Sequence, residues 1–231
     1  MPNPLNIKDL EILYTQIHSE GIKALRSGTE AIAPYLQQQS DDQRRGMALI
    51  VNLDGLISKG YNLLVNDLKA VEPGQYYYPQ TDIHMTVLDL ISASPQFSMN
   101  EIMLNKVIEI IHSAVNHVAA FEIEFHGIIL SNGAILIKGY YHEGLSEIRN
   151  NIRRFAIQYG FDLKERYQSI SAHVTIARFK AQVENCEGFI QKIEDYRDFQ
   201  AGVVRVNQME LVIHDWYNSQ KNEIQKFILK K

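Results

Sequence analysis

Two short stretches of the chain carry residues able to do chemistry together. Ile83-His84-Met85-Thr86-Val87 and Ala172-His173-Val174-Thr175-Ile176 each set a histidine two positions before a threonine in apolar surroundings. Successive side chains of an extended strand point to opposite faces, so His84 and Thr86 share one face while Ile83, Met85 and Val87 take the other. The second stretch alternates in the same way. Its apolar positions can anchor the strand in a core while an imidazole and a hydroxyl face a groove. Imidazole has an unperturbed pKa of about 6.5, so of two such rings one can be a neutral base while the other is a cationic acid. Eight His and five Thr among 231 residues would produce roughly 0.2 His-x-Thr by chance. Two are present.

The elements that must position them form a repeat. Met47–Leu53 is an apolar run rich in β-formers, the mark of a strand buried on both faces. A helix over about 56–70 follows it, and His84 lies 37 positions after Met47 in a strand over 82–90. Ala134 opens another strand, a helix over about 143–159 follows, and His173 lies 39 positions after Ala134 in a strand over 171–179. Each histidine strand is then followed by a helix, over 100–118 and about 184–196. Ser131-Asn132-Gly133 between two β-rich segments, 121–130 and 134–141, signals a hairpin. Val203–Asp215 and Ile224–Leu229 read as a closing β pair. Two units of similar build, with antiparallel hairpins among helices, predict an α+β fold of two lobes about a pseudo-twofold axis. On that geometry both His-x-Thr segments converge on one cleft. Ahead of the repeat, residues 5–26 have helical periodicity and a second helix is expected from about Thr29 to Gln39. The domain reading is a helical extension over 1–45 and a bilobal unit over 46–231.

Composition narrows the function classes. Lys plus Arg is 23 against 27 Asp plus Glu, a formal charge of -4. Coating nucleic acid non-specifically needs a basic surplus to neutralise phosphates, so no extended nucleic-acid surface is expected. The single Cys186 excludes an intramolecular disulfide and a cysteine-rich zinc site. The stretch MPNPLNIKDLEILY lacks the pattern of a secretion signal, and no run approaches the ~18 apolar residues of a membrane span. The expectation is a cytoplasmic protein with no membrane contact.

The segments IHMTV and HVTIAR resemble the signature of the two-histidine (2H) phosphoesterase superfamily. HVTIAR is similar to the second motif of the RNA 2',3'-cyclic phosphodiesterases, also called 2'-5' RNA ligases. That resemblance implies a bilobal α+β fold with a central cleft and action on cyclic phosphodiesters or 2'-5' linkages, with no metal or other cofactor. It makes His84 and His173 the acid/base pair and gives Thr86 and Thr175 the phosphate. Opening a cyclic phosphate requires water to be activated on one side of phosphorus and the departing ribose oxygen to be protonated on the other, the two tasks of the pair. Arg178, five after His173, matches an arginine of the family motif and is a substrate-binding candidate. Strict alternation puts it on the face opposite His173 and Thr175 unless the strand ends or bulges, so a structural ion pair is the competing role. Tyr76-Tyr77-Tyr78 could stack a base or pack at a strand entry, with Tyr78 the substrate-binding candidate; Trp216 and Tyr217 invite the same two readings. His18, His112, His117, His126, His142 and His214 lack a repeated pattern and read as structural or exposed. Val87-Leu88-Asp89-Leu90 lacks the basic or aromatic residues that often follow the first motif in RNA-directed relatives. The expected partner is a small nucleotide or an RNA end.

Overall fold

The computed structural model describes residues 7–55, 60–165 and 168–231. The first two residues of the expected N-terminal helix and the start of the expected 56–70 helix lie outside them. Among the described residues nine strands form one sheet: β1 (Arg45–Asn52), β2 (Tyr76–Tyr77), β3 (His84–Ser94), β4 (Phe121–Leu130), β5 (Ala134–Tyr140), β6 (Val174–Arg178), β7 (Gln200–Val206), β8 (Gln208–His214) and β9 (Lys221–Ile228). The α-helices that accompany them are α1 (Ile7–Ser27), α2 (Tyr61–Val71), α3 (Glu101–Val115), α4 (Gly144–Gln158) and α5 (Cys186–Asp195).

The strands run β7-β4-β5-β6-β3-β1-β8-β9, with β2 paired on β6, and all pairings between these strands are antiparallel. The expected α+β fold with two related halves is observed, and the halves share one continuous sheet. β3 and β6, the two histidine strands, sit side by side at its centre, flanked by β1 and β5 and then by β8 and β4. The repeat reads β1-α2-β3-α3-β4 and β5-α4-β6-α5-β7, so the third strand of the first unit lies in the other half, beside β5. β1 is buried almost throughout, as its unbroken apolar run requires. Three register shifts between β1 and β3 curl the sheet, since an unmatched residue bends the strand that carries it.

Two sequence expectations need correction. Residues 29–39 are not a helix. Gly28 (φ +62) ends α1 in the left-handed conformation that glycine adopts without strain. Its N–H donates to the Leu25 carbonyl and that of Thr29 to Ala24, the paired bonds of a Schellman cap. The chain then extends, with Ala31 N–H on the Asn132 carbonyl and Ala33 N–H on Phe179, before Pro34 opens a short 3-10 turn. Tertiary backbone partners and a proline outweigh the local helical pattern. Val203–Asp215 is likewise not one strand. It breaks at Asn207 into β7, which pairs with β4, and β8, which pairs with β1, strands of opposite halves.

α1 is built into the same apolar cluster as the sheet, through Leu10, Tyr14 and Leu25. Tyr14 is fully buried; its hydroxyl donates to the Gly139 carbonyl (2.8 Å) and accepts from the N–H groups of Gly139 and Ala172 (both 3.2 Å). Burial pushes its pKa up to about 12. Gly139 is required here, because a Cβ would collide with the Ala172 carbonyl oxygen. The residue before His173 is thus held by the N-terminal helix.

Candidate active site

The pairing of β3 with β6 rests on one bridge, Met85 with Val174, the middle residues of the two His-x-Thr segments. An antiparallel bridge at that point sets His84 beside Thr175 and Thr86 beside His173, on one face of the sheet. Met85 and Val174 are fully buried on the other face. All four polar side chains line one cleft of about 950 Å3, as expected of strand alternation around a local twofold axis.

Each ring is held from two residues upstream. His84 Nδ1 lies 2.8 Å from the Asp82 carbonyl oxygen. A carbonyl only accepts, so Nδ1 carries the hydrogen and Nε2 is the basic nitrogen of the neutral ring. Burial pushes the His84 pKa down to about 4, with the His214, Lys221 and Arg178 charges adding to the fall and the Asp82 carbonyl opposing it. His173 Nδ1 lies 2.8 Å from the Ser171 hydroxyl, which can either donate or accept.

Arg178 and Tyr78 also line this cleft. The face expected for Arg178 from strict alternation is corrected by a bulge: β5 and β6 pair Leu136 with Thr175 but Ile135 with Ala177, so one extra residue of β6 intervenes. That residue flips the alternation and returns Arg178 to the side of Thr175. Its Nε donates to the Tyr78 hydroxyl at 2.9 Å. Tyr77 turns away, its hydroxyl bound to the Glu72 carbonyl, while Tyr76 packs edge-on against Tyr78 and is tilted against Tyr217.

Other cleft residues had little or no signal in the sequence. His214, expected to be structural or exposed, ends β8 and lines the cleft; its Nδ1 is on the Asp215 carbonyl, and burial lowers its pKa. It follows an unbroken Leu-Val-Ile run, where no alternation betrays a cleft-facing side chain. Arg44 lies over the Trp216 ring at 4.4 Å and the Tyr35 ring at 4.7 Å, tied to Asp42 by two bonds. From α1 and the extended segment after it, Leu13, Ile17, Ala31 and Pro34 complete the wall. Arg149 had a readable signal, a charge in the apolar stripe Leu145, Ile148, Ile152 and Ala156 of α4. Among the described residues no group of three or more His, Cys, Asp or Glu is placed to hold a metal ion, and no helix is long and apolar enough to cross a membrane.

The family model described as the 2'-5' RNA ligase superfamily matches residues 61–218. Among solved structures, TT0787 of Thermus thermophilus matches with a TM-score of 0.53 at 17% identity, over 81% of this chain and 98% of that one. E. coli LigT complexed with 3'-AMP matches with a TM-score of 0.53 at 10% identity, over 81% and 99%. The same protein complexed with NADP+ gives 0.52 at 10% identity over the same shares. At such identities these are likenesses of fold. No curated protein matches the chain.

Proposed function

The chain belongs to the 2'-5' RNA ligase superfamily, a group of phosphoesterases, and from that premise we propose that it opens a 2',3'-cyclic nucleotide phosphate, or cleaves a 2'-5' linkage, by two-histidine acid–base catalysis that needs no metal. The bridge between Met85 and Val174 carries this reading. Side chains diagonal across such a bridge stand about 7–8 Å apart at their bases. That leaves room between His84 and His173 for one phosphoryl group held from both sides.

The hydrogen-bond partners of the two rings support one division of the roles. His84 is neutral at pH 7 with Nε2 as its basic atom, so it takes a proton from the water that attacks phosphorus. His173, whose Ser171 partner can accept from Nδ1, enters as imidazolium and gives its Nε2 proton to the ribose oxygen as the P–O bond breaks. In the reverse direction the roles exchange. The Thr86 and Thr175 hydroxyls donate to the non-bridging oxygens, and Arg178, held by Tyr78, offsets the developing charge.

The substrate class is a small nucleotide or RNA end. E. coli LigT has been solved with NADP+, ATP, 3'-AMP and phosphate, and a cleft of about 950 Å3 accommodates ligands of that kind. The net charge of -4 also favours a compact ligand over a polynucleotide track. On this reading residues 1–45 are an extension, part of which (Leu13, Ile17, Ala31 and Pro34) walls the cleft of a catalytic unit over 46–231. The test is incubation with 2',3'-cyclic mononucleotides and 2'-5' dinucleotides in EDTA, with the products separated chromatographically. Turnover that survives chelation and disappears in His84→Ala and His173→Ala supports the proposal. Saturable nucleotide binding without turnover would make the protein a binding module.

A further inference from the structure

Arg149 is the largest fully buried side chain among the described residues, 2% exposed. Its place on α4 is unusual for a cation, among Leu145, Ile148, Ile152 and Ala156 on the helix face turned to the core. Taking a guanidinium out of water is costly unless its donors are satisfied and its charge is balanced. The donors are satisfied. Nε donates to the Val87 carbonyl at 2.7 Å, Nη2 to the Thr86 carbonyl at 3.2 Å and the Ser171 carbonyl at 2.8 Å, and Nη1 to the Tyr141 hydroxyl at 3.4 Å. Tyr141 passes its own hydrogen to the Ile170 carbonyl at 2.5 Å. No acidic side chain balances the charge: none of the ion pairs among the described residues includes Arg149. Arginine nonetheless stays protonated under protein conditions.

The carbonyls it reaches belong to both halves. Thr86 and Val87 are in β3, while Ser171 lies just ahead of His173 and holds that ring through its hydroxyl. Between the histidine strands the backbone supplies a single bridge, so the planar fork of Arg149 is a second tie across the same seam. Arg149 is also among the residues that line the cleft. We propose that Arg149 is a positioning residue of the two-histidine site, stitching the two His-x-Thr segments together and holding beneath them a positive charge that a bound phosphoryl group balances. The inference rests on the reading that both segments grip one phosphate. It adds a residue outside both motifs, placed there by a different element.

Lysine and methionine substitutions separate the two duties. Arg149→Lys keeps the charge and loses the fork; Arg149→Met keeps the bulk and loses both. Inorganic phosphate is the probe for charge, with binding followed by titration calorimetry. The kcat on a 2',3'-cyclic nucleotide is the probe for position, and thermal melts of each variant correct for folding. Arg149→Lys is expected to bind phosphate within about threefold of the parent while kcat falls about 10- to 100-fold, as misplacement of reacting groups costs. Arg149→Met is expected to weaken phosphate binding by at least about tenfold, as loss of a nearby buried charge does. Unchanged kcat in a folded Arg149→Lys protein overturns the positioning role, and unchanged phosphate affinity in folded Arg149→Met overturns the charge. Should Arg149→Met fail to fold, Arg149→Lys decides: phosphate affinity lost along with kcat although the charge is kept would overturn the proposal. If the parent protein binds phosphate but turns over no cyclic or 2'-5' substrate, the enzymatic reading fails while the phosphate comparison still judges Arg149.

Discussion

The two halves of the molecule offer the same motif in different settings. Ile83–Val87 and Ala172–Ile176 pair through their middle residues, and in both the ring is held from two positions upstream. At His84 the partner is a main-chain carbonyl, Asp82; at His173 it is the Ser171 hydroxyl. A carbonyl dictates one tautomer, whereas a hydroxyl turns to suit either neighbour. The approach to His173 is also braced by Tyr14 and Arg149, residues of two helices, whereas the Asp82 carbonyl receives its other bond from Asn218 at 3.4 Å. Twofold symmetry of backbone therefore does not impose twofold symmetry of proton chemistry. One ring is held in a single tautomer and pushed toward the neutral form by burial, while the other meets a hydroxyl that suits either tautomer.

The sharpest way to break this comparison is to remove the rings. His84→Ala and His173→Ala are each expected to lower kcat by about 10²–10⁴-fold. The double variant should be little worse than the poorer single one, because the two act as a unit; steady-state kinetics decides. If the halves differ only in proton chemistry, the two threonines, proposed to hold the phosphate, should be equivalent. Thr86→Val and Thr175→Val should then each cost about 10²-fold in kcat/KM, and a large inequality would place the phosphate closer to one half.

The partners upstream sharpen the contrast. Ser171→Ala removes a hydrogen bond from His173 and is expected to cost about tenfold in kcat, the equivalent of roughly 1.4 kcal/mol. Asp82→Ala leaves the His84 carbonyl partner intact and should stay within about twofold. The pH dependence follows from the same asymmetry. Because the His84 pKa falls from 6.5 to about 4 on folding, the acidic limb of kcat/KM should lie near pH 4. An NMR titration of the ring should give the same midpoint. The unfolded chain takes up this proton first, so the stability contribution of neutral His84 is complete above about pH 6.5. It drains away as pH falls toward 4. A modest catalytic effect and a larger effect on stability are expected from Tyr14→Phe. It strips the acceptor from the buried N–H groups of Gly139 and Ala172, costing about 1–3 kcal/mol of stability, while kcat drops only a few-fold; denaturant melts measure the first.

Much of this architecture was legible before any coordinates. The apolar run at Met47–Leu53, the Asn132-Gly133 turn and the spacing of two like units gave the elements of β1, β4, β5 and both histidine strands. Alternation put His84 with Thr86, and His173 with Thr175, on one face of each strand, and the twofold repeat brought the two faces to one cleft. Alternation failed at Arg178, because a bulge between Thr175 and Ala177 is a feature of pairing with β5 and leaves no trace in β6 itself. Periodicity failed for 29–39, where extended backbone bonds to Asn132 and Phe179 come from residues more than a hundred positions away.

Residue type and local period are properties of neighbouring positions, so the chain alone settled the repeated motif, its apolar backing and the acid–base character of its imidazoles. Which carbonyl or hydroxyl meets each ring, how far burial lowers a pKa, and that Arg149 joins Thr86 to Ser171 depend on groups brought together from distant parts of the chain. Desolvation and hydrogen-bond geometry arise only when those groups meet, and tertiary structure alone decided them.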